Sequence, residues 1–323
     1  MVATIDKPKL ERNYLFLEKY FLECKFTVFC EELLGLSKCY EIVNILNYLS
    51  FKYSKTTFFK KTYDCNFFIP GGVLGVVPIT KILTDGLLEN ALPVNKILDV
   101  GCGCGYSSIL AAKFNNNECT CVDINYLAVL ATKLNAIWNF VGDKICVIHS
   151  DFSEYSTNKC FDVIICNPPM DNDNKVKSLK AYHFLKNKHT NSCDMRSANN
   201  LITDHQNISL VDRIFMSKLL GSKSKVIISS GNIGNNMDSI IVNIAKKYSF
   251  DLKQAKDIFC YFADFKDRNG KYIFDYDYLM DQVKHGNVLY KSDGKTINAS
   301  GSYVYEDLCF KAFWHLYQNE LIA

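Results

Sequence analysis

The sequence predicts a doubly wound α/β fold behind a helical N-terminal segment, and three observations predict it. Short apolar strands alternate with stretches of helical periodicity from residue 80 onward. A glycine-rich turn follows the first of those strands directly. Acidic residues then stand at the ends of the next two strands, the arrangement expected where a parallel sheet binds a ligand at its carboxyl edge.

The elements follow in order. Leu10, Tyr14, Leu15, Leu17, Phe21 and Leu22 recur at helical spacing, and Glu32 to Leu49 repeats the pattern, so residues 8 to about 50 read as helices. Phe51 to Pro70 is aromatic and β-branched and reads as a β-hairpin or an extended lead-in, closed by the punctuation of Pro70-Gly71-Gly72. The alternating part begins with a helix over Thr80–Asn90, a strand over Lys96–Val100 and a helix over Tyr106–Phe114. A strand over Glu118–Asp123, a helix over Tyr126–Phe140 and strands over Lys144–Ser150 and Phe161–Cys166 come next. The pattern closes with a helix over Ser209–Leu220, a strand over Lys225–Ser229, a helix over Met237–Tyr248 and strands near Ala255–Phe265 and Leu308–Phe313. Residues 1–66 therefore read as a helical, substrate-recognising segment with its hairpin, and 67–323 as the main domain. A Tyr-rich insertion (266–302) separates the last two strands.

With 323 residues, 48% hydrophobic and 22% charged, the chain can bury a full core without staples. Its start has no apolar leader and its longest weakly polar stretch, Phe67 to Ile79, is too short to span a bilayer. The expectation is a cytoplasmic protein with no membrane partner. In that setting the 14 cysteines are free thiols, and Cys102, Cys104, Cys119, Cys121 and Cys166 are expected to be buried beside strands. No zinc-like spacing is present, so no metal is expected. A net charge of +3 is too mild to select nucleic acid as partner.

Chemistry concentrates at four places. In Asp99-Val100-Gly101-Cys102-Gly103-Cys104-Gly105 an apolar strand runs into a turn whose glycines allow positive φ and close approach of a ligand. The helix beyond offers free N–H groups. Tyr106 occupies the place where the dinucleotide pattern Gly-x-Gly-x-x-Gly has its last glycine, which points away from a pyrophosphate ligand. Asp123, followed by Ile124, ends the next strand and can accept from both hydroxyls of a ribose; Asp151, beside Phe152, can accept from an adenine amine while the ring packs on the base. Asn167-Pro168-Pro169-Met170 follows a fourth strand. Asn before Pro is held extended, and two prolines fix φ, so the Asn167 side-chain oxygen and a backbone carbonyl are held outward as acceptors for an NH₂ group.

These residues together resemble the amino-methylating class I methyltransferases that carry an (N/D)PP(Y/F/W) motif. The resemblance covers roughly Phe67 to Phe250, and Thr132 to Phe152 is similar to that family's helix–strand–acid segment. It implies a Rossmann-like seven-stranded class I methyltransferase sheet and S-adenosyl-L-methionine as cofactor. It implies Asp99, Gly101, Cys102, Gly103, Gly105, Asp123, Ile124, Asp151, Phe152 and Asn167 as cofactor-binding residues, and Asn167, Pro168, Pro169 and Met170 around the target amine. The layout is most similar to the release-factor glutamine methyltransferases, which implies a glutamine-type amide as acceptor. Two departures stand out. Gly71-Gly72-Val73-Leu74-Gly75 follows Pro70 where that group has Arg-Pro-Glu-Thr-Glu, and looks more like the lead-in of small-subunit rRNA guanine methyltransferases. Met170 stands where an aromatic is usual. The acceptor thus stays open among a protein amide, an RNA or DNA base amine and a small molecule.

Weaker signals remain. Lys52, Lys55, Lys60 and Lys61 interleave with aromatics, which suits either a nucleic-acid platform or a hairpin with one lysine-bearing face. Lys175, Lys177, Lys180, Lys186 and Lys188 crowd the stretch after the Asn-Pro-Pro motif, which reads as a solvated loop.

Overall fold

The computed structural model describes residues 58–63, 65–69, 73, 76, 78–93, 95–168, 209–231, 237–264, 272, 276–284, 288–298 and 300–319. The helices expected over 8–50, the lysine-rich stretch after Asn167, and Pro169 and Met170 lie outside the described residues.

A hairpin opens the described chain, β1 (Phe58–Thr62) and β2 (Cys65–Ile69), paired antiparallel. Helix α1 (Pro78–Asn90) leads to β3 (Lys96–Val100), α2 (Tyr106–Asn115), β4 (Glu118–Asp123), α3 (Tyr126–Trp138), β5 (Ile145–His149) and β6 (Phe161–Cys166). The chain continues through α4 (Leu210–Met216), β7 (Leu220–Gly231), α5 (Met237–Lys247), β8 (Phe250–Tyr261), α6 (Tyr276–Lys284) and β9 (Cys309–Asn319). Seven strands form one sheet in the order β5-β4-β3-β6-β7-β9-β8, with β3 to β7 parallel and β9 antiparallel to both neighbours. This is the doubly wound sheet that the sequence predicts.

The core follows from period-2 strands buried on both faces. Ile97, Cys119, Cys121, Val163, Ile165 and Ile227 turn to one face, which α1, α2 and α3 cover. Leu98, Val100, Ile164, Cys166, Val226 and Ile228 turn to the other, under α4 and α5. Each of the five thiols named from sequence is buried and free. Burial pushes the Cys104 thiol up to about 12 and raises those of Cys119 and Cys166, so none is a nucleophile near neutrality. Among the described residues no cluster of His, Cys, Asp and Glu could hold a metal, and no helix is long and apolar enough to cross a membrane.

Several boundaries differ from the sequence reading, and the larger differences have physical reasons. Helix α1 starts at Pro78, because proline is tolerated in a first turn, where its missing N–H has no partner to lose. Helix α4 stops at Met216 and β7 starts at Leu220, although Leu219 and Leu220 keep the apolar spacing. There Gly221 N–H donates to Ser224 Oγ (2.7 Å) and Ser224 Oγ donates to the Phe161 carbonyl (2.5 Å), which holds the polar lead-in on the sheet beside β6. Strand β8 begins at Phe250, its first half being a polar edge. Strand β9 runs to Asn319 because it lies between two neighbours, with Trp314 and Tyr317 fully buried, so its pattern lacks alternation. In the hairpin, β2 is buried at every position, Phe67 and Phe68 completely. These two rings therefore offer no stacking surface to a base.

Candidate functional site

In this sheet the chain leaves β3 toward β4 on one side and leaves β6 toward β7 on the other. The carboxyl ends of β3 and β6 consequently flank a crevice, the position where open α/β sheets bind ligands. Residues 101–105 follow β3, Asp123 ends β4, Asp151 lies two residues past β5, and Asn167 directly follows β6. Of the residues singled out from sequence, the glycine turn, Asp123, Asp151 and Asn167 thus lie at the carboxyl edge of the sheet.

The turn after β3 is built on left-handed backbone. Gly101, Gly103 and Gly105 have φ of 74°, 58° and 77°, conformations that a Cβ penalises. The Gly101 N–H donates to the Val122 carbonyl (2.8 Å) and the Gly105 N–H to the Cys102 carbonyl (2.9 Å). Gly105 caps α2 without a side-chain partner. Space matters as well as φ. A Cβ on Gly101 would meet nothing within 4 Å, whereas one on Gly105 would lie 2.7 Å from Thr132 Cγ2. Cys102 and Cys104 point inward and are buried.

Asp123 is half-buried and braces this turn. One carboxylate oxygen accepts from Gly103 N–H (2.9 Å) and the other from Asn125 N–H (2.8 Å). Each oxygen keeps capacity for a further donor. Burial raises its pKa, and the two backbone N–H groups oppose that rise. Removing the carboxylate leaves both N–H groups without their acceptor. Asp123→Ala is expected to weaken S-adenosylmethionine binding by about 10- to 100-fold, the cost of losing charged hydrogen bonds; unchanged calorimetric affinity would refute the assignment.

Asp99 stands differently. It is buried behind the turn on the α2 side, and its Oδ2 accepts from Ser108 Oγ at 2.6 Å. Burial lifts its pKa to about 7, with the Ser108 bond opposing and the Asp123 charge adding to the rise. The folded protein therefore holds a proton that the unfolded chain, with an ordinary carboxyl near 3.8, has released. Folded stability from this group is full below about pH 4 and declines as pH rises toward 7. Asp99→Asn is expected to remove that part of the slope, raising the melting temperature of the cofactor-free protein at pH 8 and leaving it little changed at pH 4. Parallel melting profiles for the two proteins would show that Asp99 titrates normally.

Asp151 is exposed and its Oδ1 accepts from Ser153 N–H (2.8 Å), while Phe152 is half-buried against the α4–α5 side of the core. Ile124 is 49% exposed at the same edge. Next to it the exposed Tyr126 ring meets His149 edge-on at 5.3 Å. Asn167 is half-buried and Pro168 buried; Ser229 Oγ, from β7, donates to Asn167 Oδ1 at 3.3 Å. Ser229, Thr132 and Asn135 were not picked out by sequence reasoning. Thr132, Asn135 and Asn139 carry one usable signal: they are polar at spacings of three and four along an otherwise apolar face of α3 and the turn that ends it.

The connection from β8 to β9 also reaches this edge. Gly231, at the carboxyl end of β7, pairs with Ala312, and Tyr261 pairs with Cys309, so this connection leaves and rejoins the sheet at its carboxyl edge on the β7–β8 side. It is no loose decoration, since Leu279, Leu289 and Leu308 are completely buried in the main core. Tyr272 and Tyr305 stack at 4.4 Å, and Tyr276 OH accepts from Tyr303 N–H (3.0 Å).

Comparison with known proteins places the chain among methyltransferases. The family model described as "Methyltransferase small domain" matches residues 77–191. A tRNA1(Val) (adenine(37)-N6)-methyltransferase of Vibrio campbellii is 36% identical over 107 residues, 33% of this chain and 45% of the relative. A protein of the same name from Aliivibrio salmonicida is 30% identical over 187 residues, 55% of this chain and 70% of the relative. A release factor glutamine methyltransferase of Clostridium botulinum is 33% identical over 119 residues, 35% of this chain and 42% of the relative. The chain spans about half the length of the first curated relatives it matches.

Proposed function

Because the chain belongs to the methyltransferase small domain family of class I S-adenosylmethionine-dependent methyltransferases, we propose that it is an N-methyltransferase acting on a planar nitrogen. The residues present fit the cofactor. The turn is pinned open by three left-handed glycines, the N-terminus of α2 lies behind it, and Asp123 keeps free acceptor capacity at the adjoining strand end. Bound there, S-adenosylmethionine supplies an electrophilic sulfonium methyl. Asp123 would hold the ribose and Asp151 the adenine amine, with Ile124 and Phe152 beside the base.

The observation that carries the reading is the position of Asn167. It leaves β6 at the switch point, half-buried, with its oxygen held by Ser229 and its backbone stiffened by Pro168. An oxygen so placed accepts a hydrogen from an incoming NH₂ group, pulls electron density onto the nitrogen and aims the lone pair at the crevice. No general base is needed; orientation and electrostatic placement supply the rate.

For the acceptor we favour the exocyclic amine of an adenine in RNA. Support comes from the relatives named as tRNA adenine-N6 methyltransferases, one of which is matched over 70% of its length. A glutamine-type amide is the second reading, favoured by the likeness to the release factor enzyme. The described part of the connection between β8 and β9 would stand on the acceptor side. Incubation with methyl-labelled cofactor and separated RNA, protein and small-molecule fractions tests this. Label in RNA, recovered as N6-methyladenine on digestion, is expected; label in protein alone would move the assignment to the amide, and no label in any fraction would overturn the proposal.

A further inference from the structure

Asn135, on α3, and Asn139, in the turn directly after it, lie four residues apart, and both side chains are buried against β2. Each reads the backbone of one β2 residue in both directions. Phe68 N–H donates to Asn135 Oδ1 (2.7 Å) and Asn135 Nδ2 donates back to the Phe68 carbonyl (2.9 Å). Asn66 N–H donates to Asn139 Oδ1 (2.9 Å) and Asn139 Nδ2 donates back to the Asn66 carbonyl (2.7 Å). The two amides thus stand in for a neighbouring strand along the edge of β2 that β1 leaves unpaired, an edge that would otherwise bury open backbone groups.

The asparagines differ in one bond. The second amide hydrogen of Asn139 goes to the Asn135 carbonyl on α3 (2.8 Å). That of Asn135 goes to the Cys104 carbonyl (2.9 Å), inside the glycine turn after β3. One side chain with all its donors used therefore joins the hairpin to the turn. The Cys104 carbonyl belongs to the peptide just before Gly105, the left-handed residue that starts α2. Rotation of that peptide would swing the backbone on which the cofactor site is built.

We propose that Asn135 is a positioning residue for S-adenosylmethionine, holding the Cys104 peptide so that the turn is ready for the ligand and coupling the hairpin to cofactor binding. The inference rests on the cofactor assignment above, and Asn139 provides a matched control. Asn135→Ala and Asn139→Ala each release one β2 residue, but only the first releases the turn. Calorimetry on the full chain is expected to show S-adenosylmethionine affinity about tenfold or more weaker for Asn135→Ala than for Asn139→Ala, the scale of one buried hydrogen bond. Equal losses in the two variants would overturn the proposal. Hydrogen exchange on the unmodified protein gives a reading that needs no variant to fold. Addition of S-adenosylmethionine is expected to slow exchange of the Phe68 amide, although β2 contributes no cofactor-site residue; an unaltered rate despite measured binding would overturn it. Absence of binding by the unmodified protein would instead sink the cofactor assignment.

Discussion

Asn167→Ala is expected to lower methyl transfer by roughly a hundredfold or more while leaving S-adenosylmethionine affinity within about twofold. The size follows from where the side chain stands. On the proposed reading its oxygen is the side-chain acceptor for the incoming amine, and Cys166, the residue before it, is fully buried and offers no substitute. The fold should tolerate the change. Asn167 is half-buried and its side-chain bond to Ser229 is long at 3.3 Å, so the stability loss should be about 1 kcal/mol. Asn167→Asp separates charge from shape. The carboxylate still accepts from an amine and from Ser229, so it should retain more activity than alanine. The decisive comparison is single-turnover rate at saturating cofactor. An alanine variant that turns over at the normal rate would remove the amine clamp from the mechanism, whatever the acceptor is.

How far this site can be read from sequence depends on the range of the interactions that build it. The glycine turn, Asp123, Asp151 and Asn167 each sit at the end of an apolar run, so a pattern within a few residues finds them. The strand ends then meet because parallel strands in a doubly wound sheet must finish at one edge. The supports are a different matter. Ser229 reaches Asn167 across 62 positions and Asn135 reaches Phe68 across 67, and no local pattern encodes either pairing. Residues 308–319 show the same limit. A strand buried on both faces between two antiparallel neighbours loses its alternation, so only its first half looks like a strand. The hairpin was legible as a hairpin, but its two-sided burial was not, because the partner of β2 on its far edge is a pair of asparagines on α3 and the turn after it.

Gly105→Ala is expected to destabilise the protein by about 2–5 kcal/mol, adding left-handed backbone strain to overpacking, and to abolish measurable cofactor binding. Gly101→Ala is the informative partner. Both glycines have similar positive φ, 74° and 77°, but only at Gly105 does the new methyl collide with the core. Gly101→Ala should therefore cost about 1–2 kcal/mol, the strain alone, while its methyl enters open space at the cofactor edge and weakens binding by that route. The collision at Gly105 has a named owner. Thr132 Cγ2 would lie 2.7 Å from the added carbon and Thr132 Oγ1 3.0 Å, the same hydroxyl that donates to the Gly103 carbonyl at 3.0 Å. Thr132→Ser removes the methyl and keeps the hydroxyl. In the Gly105→Ala background it should recover a measurable part of the lost stability, whereas alone it should destabilise slightly, so the two changes couple with opposite signs in a double-mutant cycle. Urea titration of the four proteins measures this directly. Simple additivity would mean that the turn moves away from α3 to make room, and that Thr132 does not set its position.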